Sequence, residues 1–342
     1  MFKLFIDYDK AVDICLSPES EPVWYKIICL QTESGVGLNR PQDDSFYSED
    51  NPLFLVSQSE GIVFSDESVL MDSIPENHSA VLTSPCGAFI LPIPKEEAAE
   101  IQSGYGVICQ SVDSMNTNIL TLSDIEIDGP NQNGATWGRI PLGGVIPTNS
   151  LIIQDRYFFR SDRGEIVQDI YYNFKEIIRN LLPLSLSAPF HLMVIVDGEK
   201  IEQRDAVTFE KIAEELNGIT EQISKERGYS IVLEVLSIPE SDRHNYPNTH
   251  NRRIISNYYT IKADHKIKAF RGTQCLADQT ITSKLLYSKG VKDNLSDPPE
   301  RRHRKWISNF RQMVKLSRNN YEYSRDGYYV NGPLDIKNRI LR

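Results

Sequence analysis

The chain has 342 residues, enough for two domains of ordinary size, and its 40% hydrophobic and 25% charged residues are typical of a globular protein. No apolar run approaches about 18 residues, so we expect no transmembrane segment. The acidic start lacks the pattern of a secretory signal, which predicts a cytoplasmic location. The five cysteines show no C-x-x-C spacing, so neither a zinc site nor a disulfide framework is supported.

The charge is distributed unevenly along the chain. The formal net charge is −10, but residues 1–139 contain 6 Lys and Arg against 22 Asp and Glu. Residues 140–342 contain 31 against 25, and within them residues 241–342 contain 21 against 9. The basic stretch favours a polyanionic partner such as nucleic acid. The acidic part is interpreted either as a surface for a protein partner or as a surface that docks on the basic part.

Residues 1–140 are predicted to form an acidic, β-rich domain. Short β-branched or aromatic runs alternate there with clusters of Pro, Gly, Asn and Asp, as in strands joined by turns. These runs are 2–6, 23–30, 52–56, 61–65, 80–84, 87–93 and 104–110. One short helix is predicted at 95–103, and no residue spacing in this part indicates catalysis.

Residues 141–296 are predicted to form an α/β domain, which the Gly-, Pro- and Asn-rich segment 128–149 introduces. Strands alternate with amphipathic helices in the βαβ order of a mostly parallel sheet. The predicted strands are 150–159, 190–198, 229–238 and 252–263, and the predicted helices are 165–183 and 206–228. No dinucleotide fingerprint or P-loop is present, and we predict no cofactor and no metal.

Residues 250–257 carry the strongest functional signal. His250 and Arg252 are two positions apart, so on a strand both side chains leave the same face and can converge on one phosphate. With Asn257 they give the spacing H-x-R-x4-N, which resembles the H-x-K-x4-D signature of the phospholipase D superfamily. The resemblance implies that His250 attacks phosphorus without a metal while Arg252 binds the phosphate oxygens.

The resemblance covers roughly residues 145–290. Within this range the order of elements is similar to that of the phospholipase-D-like domain at the C-terminus of MIT-domain proteins, which also occurs in bacteria. The residues that carry this similarity are Asp155-Arg156-Tyr157 on a strand and Tyr172-Asn173-Phe174 on a helix. Eukaryotic members are regarded as phospholipid-binding modules, and bacterial proteins of this sort often act in multi-protein systems, including antiviral defence. The Gly-rich segment expected after the H-x-R strand is here Lys262-Ala263-Asp264-His265-Lys266.

Two departures from the signature bear on catalysis. Arginine at position 252 can still bind phosphate bidentately, but the amide of Asn257 replaces a carboxylate expected to orient the imidazole. Asp155, near a strand end, is a candidate for that role, as is Asp197. The superfamily enzymes need two signatures, and His303-Arg304-Lys305 lies in a predicted helix with Phe310 where the acid should be. A catalytic form would therefore be a homodimer.

Two other interpretations of the same residues stay open. His250 follows a turn-rich segment and can be a loop histidine whose neighbours Arg252 and Arg253 face solvent. Lys262 with two aspartates can alternatively form an Asp-Asp-Lys nuclease site.

Residues 297–342 are predicted to form a basic helical tail. An apolar stripe recurs there at helical spacing, formed by Trp306, Phe310, Met313 and Val314. One interpretation is that the helix docks on the domain through this stripe and leaves its basic face in solvent. The other is that the basic face binds a phosphate backbone or an anionic membrane surface. The residues predicted to bind substrate are basic: Arg253, Lys262, Arg301, Arg302, Arg304 and Lys305.

The expected fold class is α+β or α/β, with an N-terminal β-rich domain followed by an α/β phospholipase-D-like domain and a basic C-terminal helix. The main functional hypothesis is a protein that binds a phosphodiester, either nucleic acid or phospholipid, through a degenerate phospholipase-D-like site. The alternatives are a metal-independent nuclease acting as a homodimer and a non-catalytic partner subunit of a larger complex.

Overall fold

A computed structural model of the chain describes residues 2–342 apart from a set of short and longer segments. These segments are 32–33, 41–42, 44, 120–121, 123–124, 129–135, 156–157, 159–166, 197–208, 238–251, 273, 276–279, 286–298, 316–318, 325–326 and 332–335. The backbones of Arg301 and Arg302 are described but their side chains are not.

The first sheet is built from residues 3–111 and is parallel throughout. Its five strands in the described part of the chain lie in the order β3-β2-β1-β4-β5. The strands are β1 (Lys3–Ile6), β2 (Val36–Leu38), β3 (Phe64–Asp66), β4 (Gly87–Leu91) and β5 (Ile108–Ser111). The connecting helices are α1 (Tyr8–Leu16), α2 (Pro22–Cys29), α3 (Pro52–Glu60), α4 (Ser68–Ser73) and α5 (Lys95–Tyr105). Parallel strands need such crossovers, so this part is α/β and not β-rich as predicted.

Three predicted strands in this part are wrong. Residues 23–30 and 52–56 lie in α2 and α3, and residues 80–84 lie largely in the 3-10 helix His78–Thr83. Pro22 and Pro52 occupy the first helical turn, where proline is tolerated and its fixed φ favours a helix. The Asn51 side chain also caps α3 by accepting from the Leu53 N–H at 3.0 Å. The predicted helix at 95–103 is confirmed as α5.

The second sheet is mixed. In the described residues it contains nine strands in the order β16-β15-β9-β8-β7-β10-β11-β14-β6, of which β7, β8 and β9 are mutually parallel. The strands are β6 (Ile125–Asp128), β7 (Ser150–Gln154), β8 (Phe190–Val196), β9 (Ile231–Ser237), β10 (Arg252–Ser256), β11 (Tyr259–Ala263), β14 (Thr280–Leu285), β15 (Asn319–Ser324) and β16 (Gly327–Asn331). A separate hairpin pairs β12 (Phe270–Arg271) with β13 (Gln274–Cys275).

The predicted alternation of strands and helices is confirmed in the second sheet. Helix α6 (Val167–Leu181) connects β7 to β8, and α7 (Phe209–Arg227) connects β8 to β9. The single strand predicted at 252–263 is instead two antiparallel strands, β10 and β11. The Ser256 hydroxyl closes the turn between them by accepting from the N–H groups of Tyr258 and Tyr259, each at 3.1 Å.

Helices cover both faces of the second sheet. Leu151 and Ile153 of β7 belong to the core that includes α6 and α7, whereas Ile152 belongs to the core on the other face. That second core is closed by α8 (Pro299–Lys315) through Ile307, Phe310 and Val314. A helix is therefore confirmed in the first part of the predicted basic helical tail 297–342, and its apolar residues pack on the sheet. The later part of that tail is not helical, because it forms β15 and β16, and β15 pairs with β9. Residues Ile340 and Leu341 complete the same core.

Candidate functional site

The carboxyl ends of the parallel strands β7, β8 and β9 lie at the same end of the second sheet, and the antiparallel strand β10 begins at that end. Open α/β sheets bind ligands outside the carboxyl ends of their parallel strands. Arg253 of β10 pairs with Gln154 of β7, so the next positions, Arg252 and Asp155, are neighbours. The structure thus brings together two of the four predicted catalytic residues.

Asp155 is a buried carboxylate that the protein satisfies internally. It is 1% exposed, and one carboxylate oxygen accepts from the Ile267 N–H at 2.9 Å. The other oxygen lies 3.9 Å from Nε of Arg252, whose side chain is 20% exposed. Arg252 also donates from Nη1 to the Asp264 carbonyl at 3.1 Å. A paired buried carboxylate of this kind holds Arg252 in place.

His250 lies outside the described residues, as do Arg156, Tyr157 and Asp197. The convergence of His250 and Arg252 on one anion therefore stays a prediction.

Asn257 lies at the opposite end of β10 from Arg252, about 16 Å away at 3.3 Å per strand residue. It is fully buried. Its Oδ1 accepts from the Thr148 hydroxyl at 2.9 Å and from the N–H groups of Asn149 and Ser150 at 3.0 and 3.1 Å. Its Nδ2 donates to the Pro85 carbonyl at 2.7 Å and to Oδ1 of Asn149 at 3.1 Å. The position predicted to orient an imidazole thus joins the second sheet to the segment that precedes β4.

Tyr258 strengthens the same junction. Its hydroxyl donates to the Gly87 carbonyl at 2.6 Å and accepts from the Ile108 N–H at 3.0 Å, which links the turn after β10 to strands β4 and β5. Burial raises the pKa of the Tyr258 phenol well above its usual value, so it remains a neutral donor.

Of the six predicted basic residues, the four with described side chains lie on the α8 side of the sheet or on α8 itself. Arg253 and Lys262 are directly opposite each other on β10 and β11. The Arg253 guanidinium carbon lies 3.4 Å from the centre of the Trp306 ring on α8. Arg304 is half-buried and Lys305 is exposed on the same helix. We call Arg253, Lys262, Arg304 and Lys305 the basic edge.

The four cations of the basic edge differ in their surroundings. Lys262 donates to the Asp264 carboxylate at 2.9 Å, and both side chains are about half exposed. Burial lowers the pKa of the Arg253 guanidinium to about 10, and burial also lowers the pKa of Arg304. Nε of Arg253 is buried and has no hydrogen-bond partner among the residues that the structure describes. With a pKa of about 10, Arg253 stays charged at neutral pH.

Comparison with known proteins does not assign a family. No family model matches the chain, and no curated protein matches it. The resemblance to phospholipase-D-like domains therefore rests on residues 145–290 alone.

Two further observations concern other classes of site. Within the described ranges, no group of three or more His, Cys, Asp or Glu side chains is arranged to hold a metal ion. No helix in the same ranges is both long and apolar enough to cross a bilayer.

Sequence reasoning missed the role of Trp306, which appeared only as part of an apolar stripe. Its helical neighbours Ile307 and Phe310 are buried at 1%, whereas Trp306 is half-buried at the margin of the same core. The signal available in the sequence was the mixture of this aromatic residue with the surrounding arginines, because indole and guanidinium groups attract each other.

Proposed function

We propose that this protein binds nucleic acid through the basic edge of its second sheet. The observation that supports the proposal is the contact between Arg253 and Trp306, which brings the paired cations of β10 and β11 against the basic first half of α8. The basic edge thus places four cations on the α8 side, where Lys262 pairs with Asp264, while Asp155 is buried beside Arg252 on the other face of the sheet. A surface of this sign attracts phosphates and releases their counterions.

Nucleic acid is favoured over an anionic membrane by the packing of α8. An interfacial helix binds membranes by inserting its apolar face below the headgroups. The apolar side chains of α8, Ile307, Phe310 and Val314, are 1 to 4% exposed because they pack on the second sheet. Among the described side chains of α8, the exposed ones are Lys305, Ser308 and Gln312, which are charged or polar and suit a phosphate backbone.

The binding proposal does not include cleavage. In the phospholipase D mechanism His250 would be the nucleophile, and a metal-independent nuclease would need two copies of its segment. The partner-subunit hypothesis places the functional surface on the acidic residues 1–139 instead. Both are outcomes of the experiment below.

The test is fluorescence anisotropy with labelled single- and double-stranded 20-residue DNA and RNA in EDTA, over a range of salt concentrations. We expect salt-sensitive binding, and Lys305→Glu should weaken it about tenfold and reduce the salt slope by about 1. The matched control is Lys225→Glu, an exposed lysine of α7 on the other face of the sheet. Equal binding by both variants would contradict the proposal, as would binding only to anionic vesicles.

The same samples are analysed for cleavage. Cleavage in EDTA that is lost in His250→Ala would support the homodimeric nuclease over simple binding. Absence of both binding and cleavage would refute the proposal and favour the partner-subunit hypothesis.

A further inference from the structure

The two neighbouring arginines of β10 lie on opposite faces of the second sheet. Arg252 faces the α6 side, where Asp155 and the Asp264 carbonyl engage it. Arg253 faces the α8 side, where its guanidinium lies on the Trp306 ring at 3.4 Å. The phospholipase-D-like signature points to Arg252 as the phosphate ligand. The contacts instead favour a structural role for Arg252 and phosphate binding by Arg253.

The contact with Trp306 fixes the plane of the Arg253 guanidinium. A guanidinium that stacks on a ring covers one of its own faces and keeps its N–H groups in a plane parallel to the ring, where they can still donate to a ligand. That edge offers paired donors in the geometry that two phosphate oxygens accept. An arginine held in this way loses less side-chain entropy when it binds than a mobile surface arginine does.

The electrostatic environment of Arg253 favours an added anion. Its Nε is buried without a hydrogen-bond partner in the described part of the chain. The directly paired residue is Lys262, another cation, whose own carboxylate partner is Asp264 at 2.9 Å. A desolvated cation beside a like charge is costly unless an anion neutralises it, and the attraction to the indole offsets only part of that cost. Arg252 differs because Asp155 already neutralises it.

We propose that Arg253 is the residue of the basic edge that binds a phosphate group bidentately, and that Trp306 is its positioning residue. This inference rests on the proposed function and specifies its site: the backbone phosphate binds on the α8 face of β10, and Arg252 serves the structure. The ligand class is any phosphate with two free oxygens, either a phosphodiester or inorganic phosphate.

The first experiment compares Arg253→Lys with Arg252→Lys in the anisotropy assay with the single-stranded 20-residue DNA. Lysine keeps the charge but cannot stack or bind bidentately. We expect Arg253→Lys to weaken binding about tenfold or more, and Arg252→Lys to change it less than about threefold. Trp306→Leu should weaken binding while Arg253 remains charged, and thermal unfolding verifies that each variant is folded.

A second readout uses the unmodified protein. Trp24 and Trp137 are buried at 0 and 1%, so Trp306 is the tryptophan that a ligand at Arg253 contacts. Titration with inorganic phosphate should change tryptophan fluorescence, and Trp306→Phe should abolish the change. No fluorescence change in the unmodified protein would overturn the inference.

The outcomes separate the two proposals. If the unmodified protein binds no oligonucleotide, the proposed function fails and the site assignment fails with it. If it binds but Arg253→Lys binds equally well, only the assignment of Arg253 is overturned. A larger loss in Arg252→Lys than in Arg253→Lys would return the phosphate to Arg252 and the signature.

Discussion

Replacing Asn257 by aspartate introduces the carboxylate of the H-x-K-x4-D signature at the position where this chain has an amide. The change is isosteric, so it creates no cavity. The three donors to Oδ1, from Thr148, Asn149 and Ser150, are retained. The two hydrogen bonds that Nδ2 donates, to the Pro85 carbonyl and to Oδ1 of Asn149, become contacts between oxygens.

The size of the stability loss expected for Asn257→Asp follows from these contacts. Each buried acceptor left without its donor costs about 1–3 kcal/mol, and burial of a carboxylate adds several kcal/mol more. The three remaining donors strengthen when their acceptor is charged, which offsets part of that cost. We expect Asn257→Asp to lower the free energy of unfolding by about 3–5 kcal/mol, a large share of the stability of an ordinary domain.

The assay is urea unfolding followed by tryptophan fluorescence, since Trp24 lies in α2, between strands of the first sheet, and Trp137 donates from Nε1 to Asn173 of α6 at 3.0 Å. The control is Asn77→Asp, an exposed asparagine whose Oδ1 accepts from Ser79 at 2.7 Å and would continue to do so. That variant should change the stability by less than about 0.5 kcal/mol. A loss below about 1 kcal/mol in Asn257→Asp, or a gain of EDTA-resistant phosphodiesterase activity in it, would refute the structural role of Asn257.

The remaining predictions concern His191 and Phe310. Burial, with help from Arg339, lowers the pKa of His191 to about 3, while Nδ1 lies 2.6 Å from the Lys337 carbonyl. In the unfolded state the histidine has a pKa near 6.5, so as the pH falls the unfolded state takes up a proton before the folded state does. The free energy of unfolding therefore falls as the pH drops below about 6.5, and between pH 7 and pH 5 the loss should be about 2 kcal/mol. Urea unfolding at both pH values should show a smaller loss in His191→Gln, and equal losses would contradict the assignment. Phe310→Ala should lower the free energy of unfolding, measured by thermal unfolding, by about 3–5 kcal/mol because it leaves a cavity under α8. The control Lys305→Ala changes an exposed residue of the same helix and should be nearly neutral. Comparable losses in the two variants would show that α8 is not docked on the sheet.

The sequence allowed the second sheet to be predicted better than the first. The alternation of β7, α6, β8, α7 and β9 was predicted because each element is long and has a clear period of two or 3.6 residues. Residues 23–30 were predicted as a strand because of their β-branched content. Pro22 starts a helix there, and burial of Trp24, Ile27 and Ile28 at helical spacing stabilises it.

The candidate site was predictable only in its residue types. The basic character of α8 follows from the local sequence, and Asp155 and Arg252 were both candidate residues. Their pairing was not predicted, because it depends on β10 lying antiparallel beside β7. The role of Asn257 did not, because its partner Pro85 lies 172 residues earlier in the chain. The stacking of Arg253 on Trp306 likewise depends on how α8 packs on the sheet, which no local pattern specifies.

The strand order of the two sheets also determines how the molecule is assembled in time. The first sheet uses strands between residues 3 and 111, and its most widely separated paired strands, β1 and β4, are 84 residues apart at Lys3 and Gly87. In the second sheet, β6 pairs with β14 and β7 pairs with β10, so segments of about 150 residues (Asp128 to Thr280) and about 100 residues (Gln154 to Arg253) must close before these strands meet. Closing such loops costs entropy before any contact compensates for it, which makes folding slow. Refolding should therefore show a fast phase for the first sheet and a slower one for the sheet that carries the basic edge.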